Sequence, residues 1–447
     1  MKYRFPSVLL TLLSLLGLTV GTSSCTASSA TLPAAPSVTT LPSTTTTLVV
    51  PSSWSVPVAA GASCPATHAA TFGTQIWNDY LTALATGQGL SNPASATLTG
   101  LRLEFPSGCY YLNAPLSFDF VHPLVDVEFD GAYTNNAALS PQFIQTNVPS
   151  CSTGTSILRV QNNSSQRVEL TGLTIQGSAP NNPPYCGDYP GGLAIGGNNG
   201  SSGPHHVSLI SNTIHNTWGD GIYVSVVDHM QALSNVVTYS GRASMTLTAG
   251  NDITVRGNTF EHAAGMAFNI ETNAGLGDVS RVLAENNSAS YAAAAATDAS
   301  NNNGGLWNAS AAGQTTISDV MFRNNTSKSS LELWTSLQTS NGYTGVIHRV
   351  AFEGNTTTSA SGRITAYGGD NVTITNNQIL GGPPVQLGSW TDNPPTIYLA
   401  VPPFVSPAVC GTMSGNGYAD GSGGTVGFRV AEEYMPGATY GYTMPSC

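Results

Sequence analysis

Lysine is almost missing from this chain: Lys2 and Lys328 are the only two in 447 residues, and Lys plus Arg total 13 against 24 Asp plus Glu. Neutralising a phosphate backbone needs clustered Lys and Arg, so a formal charge of −11 excludes a nucleic-acid partner. Long apolar runs are missing too. The stretch from Val8 to Val20 has 13 residues, too few to span a bilayer as a stable helix. The cysteines form no CxxC pair, which removes the usual zinc spacing. No dense Asp cluster announces calcium; no cofactor is expected, and Ca2+ would enter only if an acidic ligand recruited it.

What remains is rich in Gly, Ser, Thr and Asn, with aliphatic residues alternating with polar ones beyond residue 100. That is an all-β pattern. At the N-terminus, Lys2 and Arg4 precede the apolar stretch, so residues 1–24 read as a signal peptide and the protein as exported. Thr22-Ser23-Ser24-Cys25 resembles a bacterial lipoprotein box, with Thr22 where an aliphatic residue is usual. Cys25 is then the lipidation candidate and the only expected link to a membrane; ordinary cleavage and release is the alternative. The mature protein is placed at the cell surface or in the extracellular medium, as a monomer.

Without Cys25, six cysteines remain, and an exported protein should pair them. Neighbours in sequence suggest 64–109, 151–186 and 410–447. Residues 25–60 are rich in Ser, Thr, Pro and Ala, cannot bury a core, and read as a linker. Ile76, Tyr80, Leu81 and Leu84 stand at helical spacing and predict a short helix capping a solenoid. Residues 61–400 are assigned to the solenoid and 401–447 to a disulfide-closed C-terminal cap.

The repeat carries this assignment. A unit aliphatic-x-aliphatic-x-x-Asn runs through Val207, Leu209 and Asn212; Ile253, Val255 and Asn258; Val320, Phe322 and Asn325; Val350, Phe352 and Asn355; and Val372, Ile374 and Asn377. Looser copies end at Asn235 and Asn287, and one beginning at Val168 has Leu173 in the Asn place. The base interval is 22–23 residues, with excess length in loops such as 288–304. A period of this size fits three short strands and three turns per coil, stacked at roughly 4.8 Å. Identical side chains then fall in register, so the Asn should form an inward amide ladder. A leucine-rich repeat lacks its Leu consensus here, and a propeller needs a longer, more uniform period.

These units resemble the parallel β-helix repeats of the pectin-lyase-like superfamily. Leu101-Arg102-Leu103-Glu104-Phe105-Pro106-Ser107-Gly108-Cys109-Tyr110-Tyr111-Leu112 is similar to the opening coil of pectate-lyase-superfamily and tailspike-like proteins. The resemblance covers about residues 65–380. It implies an all-β, right-handed, single-stranded parallel β-helix. The fold carries lyases, hydrolases, epimerases and adhesins, so it implies no single activity.

Aligning coils on the Asn sets Gly221–Ser225 over Ser244–Thr248 and Ala267–Glu271. Alternation sends Ile222, Val224, Met245, Leu247, Phe268 and Ile270 inward and Tyr223, Ser225, Thr246, Thr248, Asn269 and Glu271 outward. Trp307, Glu332, Trp334 and Tyr367 are expected on the same outer face. Rings interleaved with amides and acids suit sugars, so Tyr223, Asn269, Trp307, Trp334 and Tyr367 are the substrate-binding candidates. In related β-helix enzymes the resemblance places the active site on this sheet and its preceding loops. Asp220, Arg242, Glu261, His262 and Glu271 are the catalytic candidates, able to supply acid, base and charge stabilisation. Asp before Gly is also a common turn residue, which is the plainer reading of Asp220.

Two coils separate Asp220 from Glu271, roughly 10 Å along the axis; such a gap suits an inverting rather than a retaining hydrolase. The motifs that mark polygalacturonases and alginate epimerases are absent, and one internal lysine makes a lysine-dependent lyase improbable. The expectation is an exported protein that binds and cleaves polysaccharide, as hydrolase or lyase. A glycan-binding adhesin solenoid without catalysis is the alternative.

Overall fold

Each coil of the repeat becomes three strands because apolar side chains alternate in short runs broken by Gly, Asn and Ser. Val227–Leu233, Val236–Ser240 and Met245–Leu247 make one such coil, and Gly250–Arg256 begins the next. The computed structural model describes, with gaps, residues 46–431, most continuously 203–291. Strands in equivalent positions pair in parallel from coil to coil, giving a first sheet of 12 strands and a second and third of 11 each among the described residues. In the coil above, these sheets take Val227–Leu233, Val236–Ser240 and Met245–Leu247 respectively. The expected alignment holds residue by residue. Ile222 pairs with Met245 and Met245 with Phe268, while Tyr223, Thr246 and Asn269 form the neighbouring column. Strands Thr46–Val49, Gly411–Ser414 and Gly427–Ala431 also join the sheets, outside the 61–400 span expected for them. The predicted capping helix over 76–84, Cys25 and the pairing of Cys410 with Cys447 lie outside the described residues.

The amide ladder is continuous. Asn212, Asn235, Asn258, Asn287, Asn325, Asn355 and Asn377 each donate from Nδ2 to the Oδ1 of the next, ending on Asn416. Each Nδ2 also donates to a strand carbonyl of an earlier coil, as Asn258 does to Ala232 at 2.9 Å. Leu173, in the Asn place of its coil, donates its backbone N–H to Asn212 Oδ1 at 3.0 Å. The residue before each Asn adopts positive φ, as at Ser234 (56°), Gly257 (65°) and Asn286 (55°), a conformation that Gly and Asn adopt with least strain.

Inside, aliphatic columns fill the core, with Phe322 and Phe352 stacked at 5.3 Å. At the N-terminal side Phe105, Tyr110 and Phe143 pack with centroids 5.1–5.8 Å apart. Cys64 closes a disulfide onto buried Cys109, and Tyr111 donates its hydroxyl to Pro65 O at 2.6 Å. Cys186 is also disulfide-bonded, to a cysteine outside the described residues.

The outer face of the first sheet carries ion pairs along the axis. Arg281 Nε meets Asp252 at 2.6 Å, and Arg349 Nε meets Asp319 at 2.5 Å. These guanidinium bonds hold both carboxyls below the ordinary carboxylate range. Burial pushes Glu285 upward, but Arg323 and Arg256 outweigh it and leave the carboxyl lowered.

Candidate functional site

The turn that follows each second-sheet strand delivers the polar groups of the site to the edge of the third sheet. Asp220 lies in the Trp218-Gly219-Asp220-Gly221 turn, and Arg242 occupies the matching turn one coil on. Both are almost fully buried, with side chains 2% and 5% exposed. Arg242 Nη1 donates to Asp220 Oδ2 at 3.1 Å, and the Ala243 backbone N–H donates to Asp220 Oδ1 at 3.1 Å. Arg242 Nη2 donates to Glu271 Oε2, at the end of the third-sheet strand Phe268–Glu271. Asn269 Nδ2 adds a second donor to that oxygen at 2.8 Å. One guanidinium therefore spans two coils and ties together two carboxylates that the sequence leaves 51 residues apart (271 − 220).

A cavity of about 160 Å³ opens beside this cluster, lined by Ser156, Gly191, Asp220, Tyr223, Arg242 and Asn273. Tyr223 is half-buried, and its phenol is raised above its ordinary pKa, chiefly by burial and further by the nearby Asp220 charge. It is therefore protonated at neutral pH. Thr246 stands between Tyr223 and Asn269 on the outer face; its Oγ1 is buried without a hydrogen-bond partner among the described residues.

Of the catalytic candidates, Asp220, Arg242 and Glu271 converge; Glu261 and His262 do not. They lie on the second-sheet strand Thr259–Ala263, and neither lines the cavity. His262 instead stacks on Tyr239 at 4.6 Å, with ring planes 6° apart. Chain position explains the difference. Asp220 falls eight residues after its ladder Asn and Arg242 seven, whereas Glu261 and His262 follow Asn258 by three and four. They are still in the strand when the other two have reached the turn.

Among the binding candidates, Tyr223 lines the cavity. Asn269 is fully buried and orients Glu271 rather than meeting the cavity. Trp307 is corrected outright: it pairs with Phe268, points into the core, and donates Nε1–H to Ser327 Oγ at 2.9 Å. The long loop before it moves the register, so that Trp307 falls in the inward column of Phe268. Trp334 pairs with Asn308 in the backbone register; Tyr367 lies outside the described residues. Ser156 and Asn273 were missed. Ser156 precedes the first Asn of the repeat, so no marker aligned it, and Asn273 lies past the strand end where alternation stops applying.

Among the described residues no three His, Cys, Asp or Glu side chains are grouped to hold a metal ion. No helix among them is long and apolar enough to cross a membrane.

Residues 192–379 match a family model described as the right-handed beta helix region. Together with the three parallel sheets, that match shows a right-handed parallel β-helix fold. A comparison with the curated proteins gave no match. Among solved structures, the Yersinia enterocolitica Family 28 exopolygalacturonase is similar at 11% identity and a TM-score of 0.41, covering 79% of this chain and 73% of that one. The Streptococcus pneumoniae surface adhesin PfbA is similar at 11% identity and a TM-score of 0.38, covering 81% and 89%. The Dettilon tailspike protein follows at 14% identity and 0.31, covering 83% and 66%.

Proposed function

We propose that the protein binds a polysaccharide across the third sheet, seats one sugar unit in the cavity beside Tyr223, and cleaves the chain there. The observation that carries this reading is Arg242, which bridges Asp220 and Glu271 at the wall of that cavity. The Tyr223 ring offers a face for a pyranose, while Ser156, Asn273 and the carboxylates offer partners for its hydroxyls. Glu271, held by Arg242 and Asn269 at the end of its strand, is the carboxylate placed to act as base. The protonated Tyr223 phenol is the cavity's acid, placed to protonate a leaving oxygen. Disulfides at Cys64–Cys109 and at Cys186 support an exported protein in an oxidising compartment.

A second reading, binding without cleavage, is favoured by the engagement of both carboxylates with Arg242. Incubation with a panel of polysaccharides separates the two. Reducing ends or unsaturated products should form with the wild type and fall at least about a hundredfold in Glu271→Gln. Retention on a glycan with no product from any member of the panel supports binding alone, and retention on none rejects both readings.

A further inference from the structure

We infer that the glycan taken at this cavity is electrically neutral, and that any cleavage there is hydrolysis rather than elimination; the inference rests on the glycan reading above. Its basis is the charge count at the cavity wall. Among the described residues Arg242 is the one cation lining the cavity, and it is already bonded to two carboxylates, Asp220 and Glu271. The cluster sums to −1. A uronate or a sulfated sugar would bring a third anion to a guanidinium that is only 5% exposed. Water cannot screen the repulsion in so buried a place, and like charges juxtaposed at an interface select strongly against a partner.

The remaining groups point the same way. Carboxylate oxygens accept hydrogen bonds, so Asp220 and Glu271 recognise hydroxyl donors, of which a neutral sugar has several. Ser156 and Asn273 are uncharged.

Charge also decides the chemistry. Elimination removes the proton beside a uronate carboxylate, and a neutral sugar has no such acidified C–H. In hydrolysis, Glu271 takes a proton from water as the water oxygen bonds to the anomeric carbon. The glycosidic C–O bond breaks, and the leaving oxygen takes the Tyr223 proton. The products are a new reducing end and a new free hydroxyl, with no double bond.

Affinity electrophoresis of the full chain in gels containing a neutral polysaccharide (β-glucan, mannan or arabinan) or an anionic one (polygalacturonate, alginate or hyaluronan) tests the inference. The wild type should be retarded by a neutral glycan and bind the anionic ones more weakly by about tenfold or more. Glu271→Gln removes one negative charge and should narrow that gap, which a merely structural role for Glu271 would not do. Preferential binding of an anionic glycan, or release of products absorbing as unsaturated uronates, overturns the inference while leaving glycan processing intact. Retardation by no glycan overturns both.

Discussion

Arg242 and Asp220, 22 residues apart in sequence, meet as a buried ion pair with Nη1 and Oδ2 3.1 Å apart and the two side chains only 5% and 2% exposed. The pair pins the Trp218–Gly221 turn to the one above it. Arg242→Met removes the guanidinium from the buried Asp220 carboxylate, and breaking a buried ion pair by deleting one partner costs about 3–5 kcal/mol. Urea unfolding should show that loss, and adding Asp220→Asn and Glu271→Gln should recover most of it. An Arg242→Met midpoint equal to the wild type would show that the pair holds nothing in place.

The amide ladder makes a second prediction. Asn258 donates to Ala232 O and Asn287 Oδ1 while its Oδ1 accepts from the Asn235 side chain and backbone. Asn258→Leu strands these groups in the core, at about 1–3 kcal/mol for each one left unpaired. Thermal unfolding should fall by several degrees or more, and hydrogen exchange should quicken at the backbone N–H of Asn235 before that of distant coils.

Trp307 tests the corrected register. Its ring is fully buried, so Trp307→Ala should destabilise the fold by about 3–5 kcal/mol, the range for deleting a large core aromatic. Glycan binding by whatever fraction stays folded should be unchanged. A stable Trp307→Ala protein that loses glycan binding would return Trp307 to the outer face.

The outer ion pairs set a pH dependence. Asp252, Asp319 and Glu285 have carboxyls lowered in the folded state by their arginine partners. A lowered folded pKa means the unfolded chain binds protons first as pH falls. The stabilisation is therefore complete above the ordinary carboxylate range and is lost as pH drops below it through the depressed values. Replacing Arg281 and Arg349 with Gln should flatten the decline in melting temperature over that window. High salt should reproduce part of the change, since Arg281 and Arg349 are each 46% exposed.

The sequence made the repeat legible wherever the interval stayed near its base length. From Asn212 to Asn258 the spacing is 23 residues twice, and there the register of Ile222, Met245 and Phe268 follows from counting alone. Across the 38-residue interval from Asn287 to Asn325 counting fails, because the loop's length says nothing about where the next strand starts. Trp307 was misplaced for that reason. Asn416 was missed because its coil begins with Gly411 instead of an aliphatic residue and follows a 39-residue interval. The site was legible for Asp220, Arg242 and Glu271, which lie on coils whose ladder Asn stand at the base interval, so counting places their turns and strand. That Arg242 would reach both acids was not, since a side chain crossing two coils leaves no trace in a linear spacing.

The ladder spacing has a consequence for how such a chain can diversify. Seven consecutive rungs keep the same side-chain bond at 2.9–3.1 Å while the residues between them vary from 22 to 39. Doubling a flexible loop costs only about 0.6 kcal/mol in closure entropy. New segments can therefore be added at the turns without disturbing coils above or below. Recognition loops are free to lengthen, while the asparagine rungs act as a ruler that evolution cannot easily rescale.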